Sequence, residues 1–72
     1  MLNKEFIEVT AMSDGRRAAI RAASIVSVLD NAEQRSRYGI RYSYRTIVYS
    51  GHTLDVIESY DDICEMIYNA EL

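Results

Sequence analysis

Seventy-two residues with a formal net charge of −3 and 49% apolar content make a short acidic chain, apolar enough for a core and too apolar for disorder. A chain of this length buries only about 60% of its unfolded surface, so a single copy is marginally stable. Cys64 stands alone, which excludes a disulfide within the chain.

Residues 5 to 12, "EFIEVTAM", alternate and are rich in β-branched types, which predicts a strand. Ile7, Val9 and Ala11 share one face; Phe6, Glu8 and Thr10 share the other. "SDG", Ser13 to Gly15, is a hairpin turn signal. "RRAAIR", Arg16 to Arg21, returns as a second strand, although its alanines also favour helix. "IVSVLD", Ile25 to Asp30, is a third strand, followed by the polar loop "NAEQRS". Residues 38 to 49, "YGIRYSYRTIVY", are dense in strand formers and predict one long fourth strand. "SGH", Ser50 to His52, turns the chain into a fifth strand, Thr53 to Glu58.

The last segment predicts a helix over residues 60 to 70. Ser59 is a good N-cap, with Asp62 three residues on as a weaker capping-box acid. Asp61 and Asp62 fall in the first turn, where the helix dipole favours negative charge. Tyr60, Ile63, Cys64, Ile67 and Tyr68 have the spacing of one apolar face, with Asp61, Asp62, Glu65, Asn69 and Glu71 opposite. The fold class is therefore α+β: a single domain with a small antiparallel meander or barrel-like sheet of about five strands, packed by one C-terminal helix.

The stretch "RSRYGIRYSYR", residues 35 to 45, holds Arg35, Arg37, Arg41 and Arg45 and no acid. In an extended backbone the arginines project to one side while Tyr38, Ile40, Tyr42 and Tyr44 project to the other. A single-strand nucleic-acid platform needs rings and cations on one open surface, so the alternation favours protein contact, with the tyrosines packed on apolar neighbours. The period slips near Thr46, where a bulge or turn would re-aim the strand. Residues 53 to 72 hold six acids and no Lys or Arg. Isolated surface ion pairs are worth only about 0–1 kcal/mol each. The sharper reading is complementarity between copies, the basic strand of one facing the acidic helix or strand of another.

Catalytic chemistry has little support. His52 is a lone histidine in a turn, and Cys64 falls on the apolar helix face, where it reads as a small core residue. No second Cys or His stands at metal-ligand spacing, and Gly15, Gly39 and Gly51 are too scattered for a phosphate loop. The expectation is a non-enzyme with no cofactor and no metal. The unpaired cysteine suits a cytoplasmic setting. "MLNKEFIEVT" lacks the apolar core and cleavage site of a signal peptide, and no apolar run spans a membrane.

End to end, the chain resembles the small FlbD-type proteins associated with bacterial flagella and swarming motility. The resemblance is carried by "FIEVT", the turn glycine in "SDGR", "IVSV" and the block "TIVYSGHTLDVIESYDDICEMI", in which Glu58 and Ser59 occupy a Glu-Ser pair that opens the helix. Residues 31 to 44 depart from the family, being longer and more basic than its usual connection. The resemblance implies an accessory or regulatory protein that acts by contact.

Three functional readings follow. The first is a small cytoplasmic accessory protein acting through protein contacts, with itself as a homo-oligomer or with another protein. The second is a nucleic-acid-binding module using Arg35, Arg37, Arg41 and Arg45. The third is a phage or mobile-element inhibitor that presents Asp61, Asp62 and Glu65 to a basic host protein. No membrane partner is expected in any of them.

Overall fold

A computed structural model of the protein describes residues 5–31 and 33–71. The described residues form seven strands and one α-helix: β1 (Phe6–Thr10), β2 (Arg17–Arg21), β3 (Ile25–Asp30), β4 (Gln34–Arg35), β5 (Arg41–Tyr42), β6 (Arg45–Tyr49), β7 (His52–Val56) and α1 (Tyr60–Glu71). A 3-10 turn, Ala22–Ser24, joins β2 to β3.

The alternation of β1 puts Ile7 and Val9, and Ala11 just beyond the strand, into the core. β1 pairs antiparallel with β2, from Phe6↔Arg21 to Thr10↔Arg17. Between them, Gly15 N–H donates to the Ala11 carbonyl (2.9 Å) and Arg16 N–H to the Asp14 carboxylate (3.0 Å), closing the expected turn. In β2 the helix propensity of the alanines is overridden. As a strand the segment satisfies its backbone against β1 and buries Ile20, and packing of this kind outweighs intrinsic preference.

The second sheet has the order β3-β6-β7, all antiparallel, with β6 in the centre. Ile47 on β6 is fully buried, and its neighbours in register are Val28 and Leu54. Ser50 and Gly51 connect β6 to β7 with both φ angles positive (44° and 80°). Two successive positive φ values belong to the hairpin turn whose twist matches that of its strands, and Gly51 supplies the second at no steric cost.

The sheets meet at one corner. Ala11 bridges Val56, Met12 N–H donates to the Asp55 carbonyl (2.9 Å), and Ile57 N–H donates to the Thr10 carbonyl (3.2 Å). Glu58 fastens this corner: its two carboxylate oxygens accept the Thr10 N–H and the Thr10 hydroxyl, each at 2.8 Å. The sheets do not close into a barrel, because β2 and β3 follow one another through the 3-10 turn without pairing. The core is Ile7, Val9, Ile20, Ala22, Ile47, Val56 and, from the helix, Ile63.

Helix α1 starts where its cap predicts, with Asp62 N–H donating to Ser59 Oγ (3.1 Å). Its buried side keeps Ile63 and Ile67 of the predicted stripe and differs in the rest. Ile63 is buried and Met66, Ile67 and Ala70 lean on the core, while Tyr60, Cys64 and Tyr68 are exposed. Cys64 is therefore not a core residue. The helix is rotated by roughly 80° from the predicted face, at 3.6 residues per turn. The slim Ala70 and the flexible Met66 take the positions against the sheet that the stripe assigned to Tyr68 and Cys64. The Glu71 side chain lies outside the described residues.

The predicted fourth strand is not one strand, and its replacement explains why there are seven strands rather than five. Only its second half is a core strand, β6. Residues 36–40 form a tight turn, Arg41–Tyr42 is the short strand β5, and β5 pairs back onto β4 through Gln34↔Tyr42 and Arg35↔Arg41. The last predicted strand, 53 to 58, is shifted to His52–Val56, which frees Ile57 and Glu58 for the corner.

Candidate functional site

β4 and β5 pair only with each other, and together with their turn they form an arm that extends the β3–β6 hairpin. The Asn31 N–H bond to the Tyr44 carbonyl (3.2 Å) continues the β3–β6 ladder beyond Asp30↔Arg45. The β4–β5 ladder is a separate two-stranded sheet from β3-β6-β7. The slip predicted near Thr46 is not seen there, since β6 keeps an unbroken register with β7 from Arg45 to Tyr49 and the register shift lies in β3, between Ile25 and Ser27. The molecule measures 42 × 22 × 20 Å.

Ser36 makes the turn at the tip. Its Oγ accepts the N–H groups of Tyr38 (3.2 Å) and Ile40 (3.1 Å), and its own N–H donates to the Ile40 carbonyl (2.8 Å). Gly39 takes φ of 80° and donates to the Ser36 carbonyl (3.0 Å). A serine that bonds the backbone this way competes with a strand ladder, and Gly39 permits the left-handed step the turn requires. Ser36 and Gly39 are the local signal that the aromatic and β-branched content of the segment masks.

The turn changes what the segment displays. The expected separation of cations and rings survives only in the short ladder, where Arg35 and Arg41 share one face and Tyr42 takes the other. At the tip there is no alternation: Arg37, Tyr38 and Ile40 are all exposed, Tyr38 at 80% and Ile40 at 65%. The predicted packing of the tyrosines on apolar neighbours fails here. Tyr38 stands clear of the core, and Tyr42 is exposed while its ring stacks on Tyr44 (centroids 6.3 Å apart, planes 25° apart).

The four arginines do not act together. Arg45 belongs to β6, its side chain is only 17% exposed, and its guanidinium is held by Asp30 (3.1 Å). It is a structural ion pair rather than part of an open basic surface. Arg41 is exposed and pairs with Glu33 (3.4 Å). Arg35 and Arg37 are exposed and make no ion pair among the described residues. Arg35 also stands directly opposite Arg41, a like-charge cross-strand pair of a kind that destabilises a hairpin.

The acidic residues singled out by sequence lie on α1. Asp61, Asp62 and Glu65 are exposed, and none makes an ion pair among the described residues. Tyr60, Cys64 and Tyr68 run along the same side of the helix at one-turn intervals. The Tyr60 phenol is pushed up from its ordinary pKa, first by its hydrogen bond with the Cys64 side chain and the charge there, then by slight desolvation and the Asp30 and Asp61 carboxylates.

Concave features are shallow. A cleft of about 210 Å³ between β1 and α1 is lined by Phe6, Ile7, Glu8, Met66, Asn69 and Ala70, and its one carboxylate, Glu8, is engaged by Arg17. His52 opens β7, exposed, with its ring 6.0 Å from that of Tyr49. No group of three or more His, Cys, Asp or Glu among the described residues can hold a metal ion, and no helix there is long and apolar enough to cross a membrane. Comparison with protein families, with curated proteins and with solved structures finds no match for this chain.

Proposed function

We propose that this chain is a small non-enzymatic contact protein, of accessory or regulatory type, whose recognition element is the β4–β5 arm and which associates with itself. One observation carries this reading. The arm adds nothing to the buried core, yet it holds Tyr38 and Ile40 open to solvent and carries Tyr42, Arg35, Arg37 and Arg41, all exposed, along its length. Exposed apolar side chains gathered on a projecting element mark interaction sites, and tyrosine and arginine are the residues that interfaces enrich. The FlbD-type resemblance supports the accessory role, and the exposed thiol of Cys64 suits the reducing cytoplasm.

The mass of the chain in solution tests this. The expected outcome is association at high micromolar concentration, reverting to the 8.3 kDa monomer in the Tyr38→Ser, Ile40→Ser double variant with an unchanged circular dichroism spectrum. A full chain that stays monomeric, or a double variant that associates as the full chain does, overturns the proposal.

A nucleic-acid partner is a second reading, favoured by Arg37 and Tyr38 sharing the open tip, where a cation and a stacking ring can meet a nucleotide together. Anisotropy titration of a short single-stranded oligonucleotide at two salt concentrations separates the readings. Binding that falls steeply with salt and is lost in Arg37→Ala selects nucleic acid.

A further inference from the structure

We infer that the arm of one copy docks on the outward face of helix α1 of a second copy, and that the contact is reciprocal, so that two arms and two helices form a twofold-symmetric dimer. This rests on the self-association proposed above and adds the receiving surface.

Two observations on the arm call for an acidic partner. Arg35 and Arg41 are cross-strand neighbours of like charge, with only Glu33 beside them as compensation, and Arg37 at the tip has no counter-ion among the described residues. The chain therefore holds an arrangement that costs the free monomer stability and returns nothing to its core. An acid supplied from outside offsets that cost. The arm is also apolar at its end, so the surface it meets must offer apolar area beside the acids.

The outward face of α1 offers both. Opposite the buried Ile63, the helical spacing gathers Asp61, Cys64, Glu65 and Tyr68 into one patch, with Tyr68 64% exposed. Asp61 and Glu65 have no cation beside them on the helix, which carries no Lys or Arg. Arg35 and Arg37 can pair with these carboxylates while Tyr38 and Ile40 cover Tyr68. The receiving face and the arm belong to the same chain, so a twofold axis makes the contact twice, and opposite potentials fix its register and suppress wrong pairings.

A charge exchange between two variants tests it. Arg35→Glu with Arg37→Glu makes the arm acidic, and the carboxylate placed at position 35 faces Arg41 favourably within the arm. Asp61→Lys with Glu65→Lys makes the helix face basic; Glu65→Lys alone, in mid-helix and away from the cap, serves where the double change costs too much helix. The expected result is that the wild type runs at twice 8.3 kDa, that each variant alone runs as a monomer, and that their equimolar mixture regains the dimer mass. Raising ionic strength from 0.1 M to 1 M, which shortens the screening length from about 10 Å to about 3 Å, weakens the wild-type dimer by about tenfold or more. A mixture that stays monomeric although Tyr38→Ser, Ile40→Ser still breaks the dimer overturns the helix assignment and leaves the arm as the contact. A wild type that is monomeric throughout overturns both.

Discussion

Replacing Glu58 by alanine should cost this fold more than its position between two elements suggests. The carboxylate accepts two hydrogen bonds from one residue, the Thr10 backbone N–H and the Thr10 hydroxyl, both at 2.8 Å and both partly shielded from water. Bonds to a charged group contribute about 1.5–3 kcal/mol each, and half-burial puts these at or below the lower end, so together they stabilise the fold by about 2 kcal/mol. The effect is not confined to one strand. Thr10 ends β1, Glu58 follows β7 and precedes the Ser59 cap, and the Ala11–Val56 bridge lies alongside, so the pair joins the two sheets and sets where α1 begins. In a domain of this size each kcal/mol moves the melting temperature by about 4–8 °C. By the same scaling Glu58→Ala should melt about 10 °C below the wild type in a thermal scan followed by circular dichroism. Glu58→Gln keeps an acceptor oxygen for the Thr10 N–H and should lose about half as much. Thr10→Val removes only the hydroxyl bond, and its effect should not add fully to that of Glu58→Gln, since contacting residues couple in a double-mutant cycle. A Glu58→Ala protein melting within about 2 °C of the wild type, less than half a kcal/mol, would refute the assignment of this carboxylate as the fastening between sheets.

The β6–β7 turn gives a second prediction: Ser50 sits at φ 44° without being glycine, and Ser50→Asn, which favours that region, should raise stability by up to about 1 kcal/mol, while Gly51→Ala at φ 80° should lower it by about 1 kcal/mol or more, both read from denaturant midpoints. A third concerns Tyr60. Its folded pKa is raised above the unfolded value, so the stability this proton contributes is present in full below the ordinary phenol pKa of about 10 and is lost as pH rises through the folded value. An NMR titration of the Tyr60 ring carbon should report the raised value, and Cys64→Ala, which removes the leading cause, should bring it down.

Much of this architecture is legible because its signals are local. β3 is bounded as the sequence predicts, the β1–β2 turn is closed by Asp14 and Gly15, and α1 starts at Ser59 because capping and dipole effects act within one turn of helix. The alternation of β1 also sorts its residues into the two faces observed, and the set Ile7, Val9 and Ala11 is the buried one. A helix offers a continuous range of rotations, and there the predicted face and the buried one differ. Tyr60, Cys64 and Tyr68 are apolar enough to fit a stripe, but the sheet under α1 accepts Ile63, Met66, Ile67 and Ala70.

The candidate site is legible as a composition and not as a shape. The sequence alone determines that arginines and tyrosines gather between residues 35 and 45, and that the acids gather after residue 53. Only the tertiary structure decides that Arg45 is consumed by Asp30, that Arg35 faces Arg41, and that Tyr38 and Ile40 stand in the open. The reason is physical. Strand propensity reports what fits a pleated, half-buried surface, and residues 36 to 40 have no such surface to join once β3 has paired with β6. The backbone there is satisfied by its own turn, through Ser36, and the side chains that would have been packed are left on display.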